Sequence, residues 1–291
     1  MQNPLFILFD LFSRFLAILP KKLLYTFSDM LFLVGYKLLG YRKKVVFKNL
    51  SNAFPEKSSR EIKQTANQFY RHLCDVLTED MAMLNMKPSR LKQFVTIKNL
   101  DVIDRLYQKD KNITAMIGHY GNWELLTTAS LHTPYTILSV YKPLKNGFFD
   151  RKIYEMRKRF DEIPVPMKQA YKYIAGYEQS GRKYIAGLVA DQSPMRRNIN
   201  FRTTFLNQDT PFFTGAERMA IRFNHAVIFT AVKKRKRGYY EIEFIHMLDE
   251  AAHTQEGEIT EMYARQLEKL IREQPQYWLW SHRRWKHSRS N

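Results

Sequence analysis

The sequence predicts an α/β domain: a central mixed sheet flanked by helices. Short apolar runs rich in β-branched and aromatic residues recur at 113–117, 135–141, 184–190 and 226–232. Longer amphipathic stretches separate them, the alternation expected when helices cover both faces of a sheet. Residues 239–245 alternate in polarity and pair back onto 226–232 across a charged turn, so one strand pair is antiparallel and the sheet is mixed. In chain order, a charged amphipathic helix runs from Ser58 to about Leu84 and stops before Pro88. The strand at 113–117 leads into a helix from Asn122 onward, and the strand at 135–141 into a helix at 148–160. Further helices occupy 212–224 and 258–273. The chain shows no internal repeat and no low-complexity segment.

The chain has 291 residues, 45% of them hydrophobic, which is enough for a sizeable core. Its 47 Lys and Arg against 28 Asp and Glu leave a net charge of +19, which favours polyanionic partners: nucleic acid, an anionic membrane face or acidic proteins. Aromatics at 14% exclude a disordered basic tail. Cys74 is the one cysteine, which excludes an internal disulfide framework and a Cys-rich zinc site. No apolar run reaches 18 residues without a charge.

Composition shifts most at the N-terminus. Residues 5–19 are mostly apolar, interrupted by Asp10 and Arg14 and closed by Pro20; residues 23–39 repeat the pattern. Cations surround them, among them Lys21, Lys22, Arg42, Lys43, Lys44 and Lys48. The apolar region precedes the cationic cluster and no small-residue cleavage site follows, which argues against a cleavable signal peptide. Apolar helices flanked by cations suit the interface of an anionic leaflet, and a pair of core helices has the same composition. The expectation is a membrane-associating segment over 1–45, holding one anchoring helix, followed by a catalytic domain over 46–291.

The chemistry concentrates in Gly118-His119-Tyr120-Gly121-Asn122-Trp123-Glu124, directly after the strand at 113–117. A strand-to-helix turn lies at the carboxyl edge of the sheet, where α/β folds place ligands. Gly118 and Gly121 permit a tight turn and close approach, and Asn122 is a suitable helix N-cap. A carboxylate accepting one ring N–H of His119 fixes the tautomer and leaves the other nitrogen as a general base for an alcohol. A structural histidine capping the turn is the competing reading of His-x4-Glu alone.

Three further motifs accompany it: Val140-Tyr141-Lys142-Pro143 with Asn146 and the Arg157/Arg159 pair; Gly187-Leu188-Val189-Ala190-Asp191-Gln192-Ser193-Pro194; and Gln274-Pro275-Gln276-Tyr277-Trp278-Leu279-Trp280-Ser281-His282-Arg283-Arg284-Trp285-Lys286. With these four motifs in order, the chain resembles the lipid A biosynthesis (lauroyl/myristoyl) acyltransferases of the lysophospholipid acyltransferase superfamily. The resemblance implies a glycerolipid acyltransferase-like fold at the cytoplasmic face of the bacterial inner membrane. It also implies transfer of a fatty acyl group from acyl-carrier protein to a hydroxyl of a lipid A precursor. The family's His-x4-Asp/Glu pair falls on His119 and Glu124, and its Asp-Gln motif on Asp191 and Gln192. Lys142 stands where Arg is usual, keeping the charge but losing the bidentate fork. Gly147 follows Asn146 where Pro is common, and Trp285 replaces a Phe.

These readings combine into one expectation. His119 is the base, Glu124 orients it, and Asn122, Lys142, Arg157, Arg159, Asp191, Gln192, Arg283 and Arg284 contact substrate. Asp191 either holds an arginine or caps a strand end. No Gly-x-Ser-x-Gly elbow occurs, so a covalent acyl-enzyme is disfavoured. No metal-ligand spacing or Gly-rich nucleotide fingerprint occurs either, and no cofactor is expected. Lys233-Lys234-Arg235-Lys236-Arg237 reads as a hairpin tip, solvated or touching anionic lipid or acidic carrier protein. Trp278 and Trp280 suit a membrane interface. The partners expected are acyl-carrier protein, an anionic membrane and a lipid A precursor, with no nucleic acid. Two rivals remain at this level: another lipid acceptor, amino-acid-linked or glycosylated, and a basic nucleic-acid-binding protein.

Overall fold

The computed structural model describes residues 3–287; the outermost residues of the two segments expected from sequence, 1–2 and 288–291, lie outside it. Three helices lead the chain: α1 (Pro4–Ile18), α2 (Lys21–Phe32), continued by a π-helical stretch Leu33–Leu38, and α3 (Lys43–Ala53). The 25-residue α4 (Ser59–Met83) opens with a capping box, Ser58 and Glu61 each bonding the other's backbone N–H. A short α5 (Pro88–Leu91) and β1 (Val95–Lys98) follow, then α6 (Leu100–Gln108), β2 (Ile113–Ile117) and a 3-10 helix, Trp123–His132. The remainder is β3 (Thr136–Tyr141), α7 (Gly147–Lys158), β4 (Glu162–Pro166), α8 (Ala170–Ser180), β5 (Tyr184–Val189), β6 (Phe201–Phe205), β7 (Gln208–Phe212), α9 (Gly215–Phe223), β8 (Ala226–Lys236), β9 (Tyr239–Leu248) and α10 (Glu258–Glu273).

Seven strands form one sheet in the order β1-β9-β8-β2-β5-β3-β4, and β6 pairs with β7 in a separate ribbon. Every pairing in the large sheet is parallel except β8 with β9. The mixed α/β sheet thus stands as the sequence predicts. β4 escapes sequence reading because it carries Pro164 and Pro166, which a strand tolerates only at an edge, where it lies. The β6–β7 turn places Leu206 and Asn207 at positive φ without the Gly that usually marks such a hairpin. The segment after Asn122 is 3-10 rather than α. There Thr128 Oγ1 and Ser130 Oγ donate to the carbonyls of Leu125 and Thr127, three residues back, and favour the tighter turn.

The N-terminal helices pack on α4 through unusual faces. Ser13, Leu16 and Ala17 of α1 are buried, with Ser13 Oγ donating to Met81 O at 2.6 Å. From α2, Ser28 Oγ donates to Asp75 (2.6 Å) and Tyr25 OH to Glu79 (2.5 Å). The apolar side chains Leu5, Leu8, Leu11, Phe15 and Ile18 point the other way and are exposed, Leu5 by 69% and Ile18 by 71%. Among the described residues no helix is long and apolar enough to cross a membrane.

The basic run sits at the β8–β9 hairpin, as expected, with Arg235, Lys236 and Arg237 exposed, but most of its cations are paired. Lys234 is buried and pairs with Asp75 at 2.8 Å, Arg237 bridges Asp75 and Asp29, and Lys233 and Arg235 pair with Glu243 and Glu241. Much of its charge therefore clamps β8 to α4 and α2.

Glycine is obligatory at one point near the sheet's carboxyl edge. Gly121 has φ +64°, and a Cβ there would overlap the carbonyl oxygen of Val232 in β8. Gly121→Ala should therefore destabilise the fold by more than about 2 kcal/mol; equilibrium denaturant unfolding measures it, and a wild-type midpoint would contradict the argument.

Candidate active site

The site follows from strand register. β2 and β5 are parallel neighbours with Ile117 opposite Val189, so His119 and Asp191 each lie two residues beyond a matched pair. Ala190 N donates to Ile117 O at 3.1 Å, extending the ladder to the edge. The Asp191 carboxylate then receives His119 Nδ1 at 2.5 Å on Oδ1, with His119 N and Trp278 Nε1 each at 2.8 Å on Oδ2. Gly118 belongs to the same packing: a Cβ there would lie 2.6 Å from Leu267 of α10.

This geometry corrects the orienting residue. Asp191, not Glu124, accepts the ring N–H of His119. Five residues beyond His119, Glu124 has entered the 3-10 helix, and both its oxygens receive Arg157 Nη2, at 3.0 and 3.2 Å. Glu124 reaches His119 only through its charge. The other ring nitrogen, Nε2, lies 3.1 Å from the Gln192 amide nitrogen. Burial by itself would disfavour both charged forms. The mutual attraction outweighs it, holding Asp191 down at about 2 and raising His119 above the ordinary imidazole value. An ionised Asp191 accepts only, so Nδ1 carries the proton and Nε2 presents its lone pair to Gln192 and the cleft.

The catalytic turn is held from behind by the C-terminal motif. Tyr120 and Trp278 form a β-bridge, Gly121 N donates to Tyr277 O (2.9 Å) and Leu279 N to His119 O (3.1 Å). Trp278 and Trp280 are buried, which removes them from any membrane interface. Asn122 is fully buried and works twice: its Oδ1 accepts from Glu124 N (3.1 Å), capping the 3-10 helix, and its Nδ2 donates to Glu79 (2.8 Å). Glu79 also accepts from Tyr25 and Tyr240 hydroxyls, and burial raises its pKa. Asn122 is thereby a scaffold residue, without the exposure needed to touch substrate.

The remaining candidates separate. Arg159 donates to the carbonyls of Met83 and Leu84 at 2.9 and 2.7 Å, satisfying the end of α4 rather than facing the cleft. Lys142 and Arg283 are exposed. Arg284 is completely buried and so cannot reach a lipid phosphate at the surface. Cys74 lies buried in α4.

A crevice lies between the 3-10 helix and one sheet face. Ala115, Ile117, Gly187, Val189, Ile137, Ser139, Thr230 and Phe244 line it from the strands, and Trp123, Leu126 and Thr127 from the helix. Glu124, Arg157 and Glu162 also line it. Burial pushes the Glu162 carboxyl up to about 7, against the pull of Arg157. Trp123 joins this crevice to the catalytic turn, its ring 4.8 Å from that of His119 in an edge contact. Sequence reading missed the crevice because its walls come from six strands with no motif of their own.

The profile of the bacterial lipid A biosynthesis acyltransferases matches residues 4–287. The chain is 23% identical over 251 residues to the lipid A biosynthesis palmitoleoyltransferase of Escherichia coli (strain K12), covering 85% of this chain and 80% of the relative. The lipid A biosynthesis acyltransferase of Shigella flexneri matches with the same identity and coverage. With a paired histidine at the sheet edge and a family match over nearly the whole chain, the protein is an acyltransferase that belongs to the bacterial lipid A biosynthesis acyltransferase family.

Proposed function

We propose that the protein transfers a fatty acyl chain from an acyl-carrier-protein thioester to a hydroxyl of a lipid A precursor, with His119 as general base. The observation that carries this reading is the His119–Asp191 pair opening beside an apolar crevice. The acceptor hydroxyl takes the place of the Gln192 amide at Nε2 and gives up its proton there as its oxygen attacks the thioester carbonyl carbon. The tetrahedral intermediate collapses, the C–S bond breaks, and the imidazolium returns the proton to the leaving thiolate. Asp191 holds the ring and stabilises the imidazolium, as the acid partner of a Ser-His-Asp triad does. Arg157, fixed by Glu124 beside the crevice, supplies positive charge for the developing oxyanion.

The crevice suits the acyl chain. Its strand walls are largely apolar, a surface from which a hydrocarbon chain gains by displacing water.

The N-terminal helices suit a bilayer as partner, lying flat rather than spanning. Their apolar face, Leu5, Leu8, Leu11 and Ile18 with Leu23 and Met30 of α2, is exposed among the described residues, and cations flank it in the sequence. This supports placement at the cytoplasmic face of the inner membrane.

Four outcomes follow from this reading. Transfer from carrier-protein thioester to lipid A precursor, followed by mass spectrometry, should fall about 10²–10⁴-fold in Asp191→Asn. Neutral His119 is the active form and its pKa is raised, so wild-type rate should drop as pH falls through a value above about 6.5; in Asp191→Asn that limb should move to lower pH. Full activity in Asp191→Asn would remove it from the mechanism. Gly187→Leu fills the crevice floor, and its rate with long-chain donors relative to short ones should fall by about tenfold or more; an unchanged length profile would place the chain elsewhere. Finally, the protein should float with anionic vesicles more than with neutral ones, each cation near the surface contributing about 1 kcal/mol. Leu8→Glu with Leu11→Glu should abolish flotation without lowering the unfolding midpoint. A wild-type protein indifferent to vesicles would end the interfacial reading.

A further inference from the structure

The cations of the β8–β9 hairpin do not all find acids. Lys233, Lys234, Arg235 and Arg237 each pair with a carboxylate. Lys236, between the last two, pairs with none among the described residues; its Nζ lies over the Tyr239 ring, 4.4 Å from the centroid. The same ring carries a second ammonium, Lys21 Nζ at 3.6 Å, which also lies 4.1 Å from the Phe94 centroid. Lys21 donates to carbonyls, Gln93 O at 2.9 Å and Gly238 O at 3.0 Å, and Arg90 of α5 donates to Leu19 O. These groups surround an open pocket at the elbow between α1 and α2. Lys21, Arg90 and Tyr239 line it, with Ser89, Gln93 and Phe94.

Three cations thus gather around one concavity whose wall holds no carboxylate among the described residues. Burial, with the like charges of Lys236 and Arg90, brings the Lys21 ammonium down to about 8 against the pull of Glu79. An aromatic face offsets a cation only weakly at exposed sites, so an anion in the pocket would supply the compensation that the protein omits. The setting narrows the anion. Ile18 and Leu23, on either side of the Pro20–Lys21 elbow, are 71% and 52% exposed. An occupant held by the cations therefore has apolar surface beside it, which suits an amphiphile better than a free ion or an acidic protein face. The hairpin fixes the level of the pocket. β8 runs parallel to β2 with Thr230 opposite Ile117, so Lys236, six residues further on, stands beyond the same sheet edge that carries His119.

We propose that the α1–α2 elbow binds the phosphomonoester headgroup of a membrane lipid, with Lys21, Arg90 and Lys236 as its cations. A phosphomonoester carries a charge of about −1.5 to −2 at neutral pH, against one for a diester, and three cations answer the larger charge. Arg90 brings N–H donors suited to phosphate oxygens, and the two lysines add point charges. The site selects a headgroup rather than surface charge in general, and it stands independently of the reaction proposed for His119.

Binding of the full-length protein to phosphatidylcholine vesicles tests this, with either phosphatidic acid or enough phosphatidylglycerol added to give the same surface potential. Wild type should bind the phosphatidic acid vesicles about fivefold or more tighter, the worth of one further cation engaged at the surface. Lys21→Gln and Lys236→Gln should each erase that preference. Lys22→Gln removes the same charge one residue outside the pocket; it should weaken binding to both vesicles alike and keep the preference. If Lys21→Gln unfolds, Lys236→Gln carries the test, since its ammonium makes no hydrogen bond among the described residues. No preference in the wild type, or a preference that survives in a folded Lys236→Gln, overturns the proposal, as does its equal loss in Lys22→Gln. Inorganic phosphate bound as tightly as the lipid would assign the pocket to the free ion and overturn the lipid. Carrier protein whose binding needs Lys21 and Lys236, alongside vesicles bound without preference, would assign it to an acidic protein instead.

Discussion

The register between β2 and β5 is the constraint on which the site depends. Parallel strands advance in step, so matching Ile117 with Val189 brings the next residues of both chains to the sheet edge at one level. His119 and Asp191, 72 positions apart in sequence, meet there with two hydrogen bonds between them. A slip of one residue would turn Asp191 to the other face and leave His119 without an anionic partner. Gly118, against Leu267, and Gly121, against Val232, let the catalytic turn lie close enough to α10 and β8 for that register to be used.

Around this pair the protein spends its polar groups on rigidity. The C-terminal segment bridges Tyr120, receives Gly121 N and donates to His119 O, so the turn is fixed as a strand would be. Glu79 joins α4 to the N-terminal helices through Tyr25 and to the catalytic loop through Asn122, with Tyr240 closing the cluster. The N-terminal helices are thus bonded into the scaffold of the site, although their outer faces are apolar. A single architecture thus holds both the exposed apolar face and the fixed His119 ring.

Much of the fold and part of the site were legible in the sequence. Alternating apolar runs gave the mixed α/β sheet, and the position of His119 after a buried strand put it at the carboxyl edge. The motifs around Asp191 and the C-terminal tryptophans marked the right segments. Their roles were not legible, because partner choice is decided by register and burial rather than by spacing. Glu124 is near His119 in sequence but is captured by Arg157, whereas Asp191 is distant in sequence and adjacent in space. The basic run reads as a hairpin tip, solvated or binding, and its pairing with Asp75, Asp29, Glu241 and Glu243 is invisible because those partners lie on other elements. Trp278 and Trp280 read as membrane aromatics until their indole N–H groups are found donating to Asp191 and to Pro275 O.

The central claim is that Asp191, rather than Glu124, sets the tautomer of His119. Ring-nitrogen NMR of His119 above its titration point reads this directly. The account predicts a proton on Nδ1 and a bare Nε2 facing the cleft, a pattern kept in Glu124→Gln and lost in Asp191→Asn. A proton on Nε2 in the wild type, or a tautomer that follows Glu124 and ignores Asp191, would contradict it.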